Sequence, residues 1–168
     1  MTTLFAQPYD LSANGFYFEN AEEYGAKANA LRNDYGQPVE EFEIQFIDGE
    51  DLDCDLAKAI GLNQVNTARF LELADEWGDD QKTRYILAVG ECGYQFDLDN
   101  DNPDDLDVDI YQLDTMRDLA EQFVDEGLCG EIPEGMRYYF DYDAYARDLA
   151  MDYSDATING TRIIYRCG

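Results

Sequence analysis

The residues that could most readily do chemistry lie between Gly93 and Asp114, a stretch of 22 residues in which ten are Asp or Asn and none is Lys or Arg. Carboxylates at this density could bind a metal ion, form a solvated acidic surface, or present negative charge that a partner recognises. Of these three possibilities, only metal binding requires one particular spacing, so the sequence can test it directly.

The spacing of the aspartates does not fit a calcium loop. If Asp97 is the first ligand of an EF-hand, Asp99 and Asp101 fall at the correct positions. Asn102, however, occupies the position of the glycine in the sharp turn, and Val108 that of the bidentate glutamate. No other register removes both faults. We therefore predict no metal site, and a calcium-dependent regulator is left as a third alternative.

Several groups that enzymes commonly use for catalysis are missing from the sequence. It contains no His, which is the most frequent general base and transition-metal ligand. It also contains neither a GxxxxGK[ST] phosphate loop nor a GxGxxG motif. Carboxylates are so numerous that a glycosidase-like pair carries no information. We therefore predict a protein that is not an enzyme and that uses no cofactor.

The acidity extends over most of the chain. The 38 Asp and Glu outnumber the 11 Lys and Arg, which gives a formal net charge of -27 and an isoelectric point near 4.1. Such a chain repels nucleic acid and anionic membranes. Its hydrophobic content of 45% is still sufficient for a folded core. With no signal peptide and no apolar run of membrane-spanning length, the sequence predicts a soluble, cytoplasmic protein.

The elements that position these carboxylates fall into three segments, which we predict as small domains at residues 1–53, 54–92 and 93–168. The first segment has two short strands, a helix and a further strand, and is expected to be α+β. Asn20 and Glu23 are predicted to cap its helix, which is expected to end at Gly36. The predicted buried stripe of this helix consists of Tyr24, Ala28, Leu31 and Tyr35.

The middle segment is predicted to be helical and the third to be α+β. In the third, Asp105, Asp107 and Asp109 alternate with apolar residues, and this period of two predicts a strand whose aspartates face water. A periodic helix capped by Thr115 and Asp118 follows, and the chain ends in a hairpin that turns at Asn159-Gly160. The predicted fold class is therefore α+β.

One stretch carries a family resemblance. The sequence GEIPEGMRYYFDYDAYARDLAMDYS, from Gly130 to Ser154, resembles the C-terminal region of ArdA antirestriction proteins. The opening TTLFAQPYDLSANGFYFE is similar to the first strands of that family. The resemblance implies an elongated chain of three domains that forms a homodimer through the third domains. It also implies a DNA mimic that occupies the DNA groove of type I restriction-modification enzymes and so protects incoming mobile DNA.

The resemblance and the charge pattern together suggest candidate residues for the two surfaces. The candidates for the target-binding surface are Asp97, Asp99, Asp101, Asp104, Asp105, Asp107, Asp109, Glu131, Glu134, Asp141, Asp143 and Asp148. The candidates for the dimer interface are Met136, Tyr138, Tyr139, Phe140, Tyr142 and Tyr145, for which packing in the core or the interface is favoured over target contact. Arg137 and Arg147 are expected to form internal ion pairs.

The geometry of secondary structure is compatible with mimicry of a DNA backbone. Carboxylates on one face of a strand repeat at about 6.7 Å, and those on one face of a helix at about 5 to 6 Å. These separations are similar to those between neighbouring phosphates on one DNA strand. Two copies of the chain would carry the charge of about 90 Å of duplex, at about one charge per 1.7 Å.

Two other interpretations of the acidity are open at this stage. The chain could be a DNA mimic directed at another DNA-binding target, such as a CRISPR effector. It could also be a halophilic α+β binding module whose carboxylates hold water and cations and have no partner. Salt dependence distinguishes a mimic from a halophilic protein. A mimic folds in dilute buffer and loses its partner as salt rises, whereas a halophilic protein needs molar salt to fold.

Overall fold

The computed structural model describes residues 1–168 and contains seven helices and two three-stranded antiparallel sheets. This confirms the predicted α+β class. The chain divides into two units, Met1–Leu106 and Asp107–Gly168. The three-domain arrangement is not confirmed, since the expected boundary after residue 53 falls inside a helix, Asp51–Ile60.

The sheet of the first unit contains the three strands that the sequence indicates. They are β1 (Thr3–Pro8), β2 (Phe16–Phe18) and β3 (Phe42–Asp48), in the order β2-β1-β3. Alternation buries one face, so that Phe42 and Ile44 of β3 lie in the core while Glu43 is exposed. The buried face also includes Leu4 and Phe18.

Helix α1 (Ala21–Ala30) begins as predicted but ends earlier. The Asn20 side chain accepts a hydrogen bond from the Glu23 backbone N–H at 2.8 Å and so caps the helix. The predicted end at Gly36 is wrong, because Asn33 Oδ1 accepts from the backbone N–H groups of Tyr35 and Gln37 and builds a separate turn. The predicted buried stripe is wrong as well, since Tyr35 is 82% exposed and Tyr24, Ala28 and Leu31 are only half-buried.

Most of residues 51–91 are helical, as predicted for the middle segment. After β3, the first unit contains α2 (Asp51–Ile60), α3 (Thr67–Glu76) and α4 (Asp79–Tyr85), a π-helical turn at Ile86–Glu91 and a 3₁₀ turn at Pro103–Asp105. A buried ion pair links α4 to α2, in which Lys82 Nζ lies 2.6 Å from Asp53 Oδ1. The Asn66 side chain does not cap α3 but accepts from the Asn63 backbone N–H.

The second unit combines one sheet with three helices. Its elements are β4 (Val108–Tyr111), α5 (Met116–Asp125), α6 (Glu134–Arg137), α7 (Tyr142–Leu149), β5 (Ser154–Ile158) and β6 (Thr161–Cys167), with strand order β4-β6-β5. The predicted caps of α5 are confirmed, since Thr115 and Asp118 each accept from the other's backbone N–H. The hairpin at Asn159-Gly160 is confirmed as well, and both residues have positive φ.

The core of the second unit forms between the sheet and α5. Its buried members are Leu119, Phe123, Tyr153 and Ile164. Strand β4 is shorter than the alternation predicts, because Asp105 lies in the 3₁₀ turn and the strand begins at Val108. None of the helices combines the length and the apolar character of a membrane-spanning segment.

Candidate functional site

Most of the 11 Lys and Arg side chains lie close to carboxylates of the same unit. Lys27, Lys58 and Lys82 each lie within 4 Å of a carboxylate oxygen, and so do five of the arginines, Arg69, Arg117, Arg137, Arg162 and Arg166. The ion pair expected for Arg137 is confirmed, with Asp125 at 2.6 Å, but Arg147 has no carboxylate within this distance. Because most cations are paired and carboxylates outnumber them, the surface field is set by the excess carboxylates.

The acidic loop, defined here as residues 97–105, is held by its own aspartates. Asp97 accepts hydrogen bonds from the Asp99 backbone N–H at 2.9 Å and from the Asn100 side-chain amide at 2.8 Å. These bonds, the one from Asn100 above all, lower the pKa of Asp97 below its usual range. Asp101 in turn accepts from the Asp97 backbone N–H at 2.8 Å. Two of the candidate residues therefore organise the loop while remaining exposed.

The acidic loop belongs to the first unit and contacts its helices. The Phe96 ring, just before the loop, makes edge-to-face contacts with Trp77 and Tyr85. Asp104 Oδ2 accepts a hydrogen bond from the Gln81 side chain at 3.2 Å. Asp107 and Asp109, which follow the loop in sequence, already lie in the other unit.

In the second unit the candidate carboxylates have different surroundings. Asp109 lies 2.8 Å from Arg166, and Asp143 lies 2.7 Å from Arg117. Asp141 caps α7 by accepting from the Ala144 backbone N–H at 3.0 Å. Glu131, Glu134 and Asp148 are exposed and make no ion pair or side-chain hydrogen bond, and the same holds for Asp105 of the first unit. These four are the candidates with the least compensated charge.

The structure adds a row of carboxylates that the sequence analysis did not single out. Helices α3 and α4 carry exposed acids at Glu72, Asp75, Glu76, Asp79 and Asp80. On α3, Glu72 precedes Asp75 and Glu76 by three and four residues and so lies one turn from both, while Asp79 and Asp80 lie in the first turn of α4. The spacing of these acids is visible in the sequence and could have indicated an acidic surface, but for the middle segment we predict only helices.

The candidate dimer residues divide into exposed and packed side chains. Tyr138 and Tyr139 are 92% and 80% exposed, and Met136 is exposed as well. Phe140 instead makes edge-to-face contacts with Tyr142 and Tyr145. Burial first, and a hydrogen bond with Cys129 second, raise the pKa of Tyr145 to about 12. The structure therefore leaves Met136, Tyr138 and Tyr139 available to a partner.

No group of three or more His, Cys, Asp or Glu residues is arranged to hold a metal ion. The acidic side chains are spread over several elements and do not converge on one point. Such a surface can bind a cationic partner over a large area, with each exposed charge contributing a small amount.

The comparison with protein families connects this surface with a biological role. The family model described as antirestriction protein (ArdA) matches residues 18–162 of the 168. The match covers both units and includes every candidate residue of the two surfaces. No curated protein matches the chain.

Proposed function

The chain belongs to the ArdA family of antirestriction proteins, and we propose that it is a non-enzymatic DNA mimic that acts in the cytoplasm. Its proposed target is the DNA-binding groove in the methyltransferase core of a host type I restriction-modification enzyme. By occupying this groove it would protect incoming mobile DNA. Nucleic acid and membranes are not proposed as partners, because a net charge of -27 repels both.

The proposal rests on a set of exposed carboxylates that lie on helices or turns and make no ion pair. Asp75 lies on α3, Asp79 and Asp80 on α4, and Asp105 in the 3₁₀ turn, and none of the four makes an ion pair. Helices and the 3₁₀ turn hold these carboxylates at fixed positions, so that they can present a basic groove with an ordered array of negative charges, as a DNA backbone does.

The mechanism that follows is competition. A groove that binds duplex is lined by Lys and Arg, and its occupation by DNA releases condensed counterions. The exposed carboxylates would pair with the same cations, so the inhibitor and the duplex would exclude each other. No covalent step, ATP or metal is needed for this exclusion.

We further propose that the protein acts as a homodimer. Met136, Tyr138 and Tyr139 form an exposed apolar and aromatic segment at α6. Aromatic residues and Met are enriched at protein interfaces, where tyrosine also supplies a polar hydroxyl. Contact between two copies through this segment would remove these side chains from water.

The proposed function can be tested by neutralising the unpaired carboxylates together and one at a time. The purified inhibitor would be titrated into a DNA-cleavage assay with a type I restriction enzyme. We expect each of D75N, D79N, D80N and D105N to weaken inhibition by less than about fivefold, because exposed charges contribute little singly.

The quadruple variant is expected to weaken inhibition by at least about tenfold, because the four contributions add. Far-UV circular dichroism of each variant would show that the fold is retained. If one single substitution reduced inhibition as much as all four together, the target would recognise a discrete site and not a distributed charge. If the wild-type protein left cleavage unchanged, the proposed target would be wrong.

A further inference from the structure

Repulsion between its carboxylates disfavours a single ordered conformation of the acidic loop. The loop carries carboxylates at positions 97, 99, 101, 104 and 105 and no Lys or Arg. Like charges at this density repel one another and also repel the neighbouring acids of α3. The hydrogen bonds that Asp97 and Asp101 make within the loop oppose this repulsion, and contacts from outside the loop add to them.

Hydrophobic and polar contacts fix the two ends of the loop region. At the first end, the Phe96 ring lies 5.9 Å from the Trp77 ring and 5.1 Å from the Tyr85 ring, measured between centroids. At the other end, Arg84 Nη1 donates a hydrogen bond to the Leu106 carbonyl at 3.0 Å. Neither contact reaches the middle of the loop.

Within the loop itself, Leu98 and Asp99 are held by Arg69, on the first turn of α3. Its Nε donates a hydrogen bond to the Leu98 carbonyl at 3.1 Å and lies 3.5 Å from Asp99 Oδ1. Its Nη1 lies 3.0 Å from Glu72 Oε2 and 3.7 Å from Glu76 Oε2. One guanidinium thus connects the loop backbone and three carboxylates from two segments.

The chemistry of arginine suits this role. The guanidinium is always charged and presents several N–H donors in a planar fork, so that one group can serve partners in different directions. Only 29% of the Arg69 side chain is exposed, which limits screening of these interactions by solvent. Glu72, Glu76 and Asp99 are far more exposed and can still face a partner.

We infer that Arg69 is a positioning residue of the inhibitor, which holds the acidic loop beside the acidic face of α3 so that both segments form one target-binding surface. This inference rests on the proposed function. It also assigns a positive residue a favourable role in a surface whose binding depends on negative charge.

Loop positioning by Arg69 and net charge alone predict opposite changes in affinity when Arg69 is replaced by a neutral residue. Substitution of Arg69 by Gln makes the protein one unit more negative, and if net charge decided affinity, R69Q would bind a basic groove more tightly. If Arg69 positions the loop, R69Q binds more weakly, because the loop must be ordered when the target binds.

Arg147 offers a matched control. It lies on α7, is exposed, and has no carboxylate within ion-pairing distance. The R147Q variant has the same change in charge as R69Q without the loss of a loop contact. R69K is a second control for Arg69 itself, since Lys keeps the charge but lacks the planar fork.

The experiment measures displacement of a fluorescent duplex from a type I methyltransferase core at several salt concentrations. We expect R69Q to bind roughly tenfold more weakly than the wild-type protein, the size of a lost charge-assisted hydrogen bond. R147Q should bind as well as the wild type or more tightly, and R69K should lie between R69Q and the wild type.

The salt dependence separates positioning from simple loss of folded protein. If loop carboxylates leave the contact, the slope of log K against log salt becomes shallower, by up to about 0.9 for each carboxylate. A variant that only contained less folded protein would keep the slope. Hydrogen exchange of the free protein should be faster in R69Q at residues 97–105 and unchanged in R147Q.

Two results would overturn the inference while leaving the proposed function intact. One is equal affinity and slope for R69Q and R147Q while the wild type still displaces DNA. The other is unchanged hydrogen exchange of the loop in R69Q. A wild-type protein that leaves the duplex bound would instead overturn the proposed function, and the inference with it.

Discussion

Single residues of this chain show how a protein with a large excess of acid uses its few cations. Lys82 is one of only three lysines, yet it lies in the interior with its Nζ 2.6 Å from Asp53 Oδ1. The two side chains are 5% and 9% exposed. A buried carboxylate without its cation is strongly unfavourable, so this pair constrains how α2 and α4 pack.

We predict that removing either partner of this pair destabilises the protein by about 3–5 kcal/mol. The variants K82M and D53L would be compared in urea unfolding. The double variant K82M/D53L should recover much of the loss, because it leaves no unpaired buried charge. Additive losses in the double variant would show that the two groups do not depend on each other.

The pKa of Asp97 provides a second prediction at this scale. Its pKa is lowered chiefly by the Asn100 side-chain amide, so N100A should raise it towards the ordinary value of about 3.9. Because the folded pKa is depressed, the bonds stabilise the loop above the unfolded pKa and are lost as the pH falls through the folded value. The carboxyl carbon shift of Asp97, followed by NMR between pH 2 and 6, would measure this. Equal pKa values in N100A and the wild type would contradict the assignment.

At the scale of elements, local patterns predicted much of the fold. The Thr115 and Asp118 caps, the Asn159-Gly160 hairpin and the Asn20 cap of α1 depend on residues close in sequence, and all are confirmed. The end of α1 was not predictable from helical periodicity, because the Asn33 side chain builds a competing turn. Asp109 and Arg166 form an ion pair between two strands and are 57 positions apart in the sequence, so no local pattern indicated this pair.

The segment at α6 supports a prediction about assembly. Tyr138 and Tyr139 are exposed in the single chain, and we expect the Y138D/Y139D variant to be monomeric by sedimentation at concentrations where the wild type is dimeric. The physical reason is that two added charges and the loss of two aromatic rings disfavour burial of the segment. Tyr35 is similarly exposed in the first unit, so Y35D is a matched control that should stay dimeric. A dimeric Y138D/Y139D variant would place the interface elsewhere.

On the scale of the whole molecule, net charge and family membership point to the same function. A net charge of -27 opposes the binding of DNA and favours a basic partner, and the match over residues 18–162 identifies an antirestriction family. The family resemblance was visible in the sequence at Gly130 to Ser154. The position of the acidic loop beside α3 required the structure, because the contacts of Arg69 with Leu98 and Asp99 are tertiary.

The central claim is that the inhibitor and duplex DNA compete for one groove, and co-sedimentation with two fluorescent labels tests it most directly. A labelled duplex, the labelled inhibitor and a type I methyltransferase core would be mixed over a range of salt concentrations. We predict that each enzyme carries DNA or inhibitor but never both. We also predict that inhibitor affinity falls with salt less steeply than the slope of about -0.9 per phosphate neutralised, because fewer counterions condense on a folded protein. A complex that contains enzyme, duplex and inhibitor together would contradict the account.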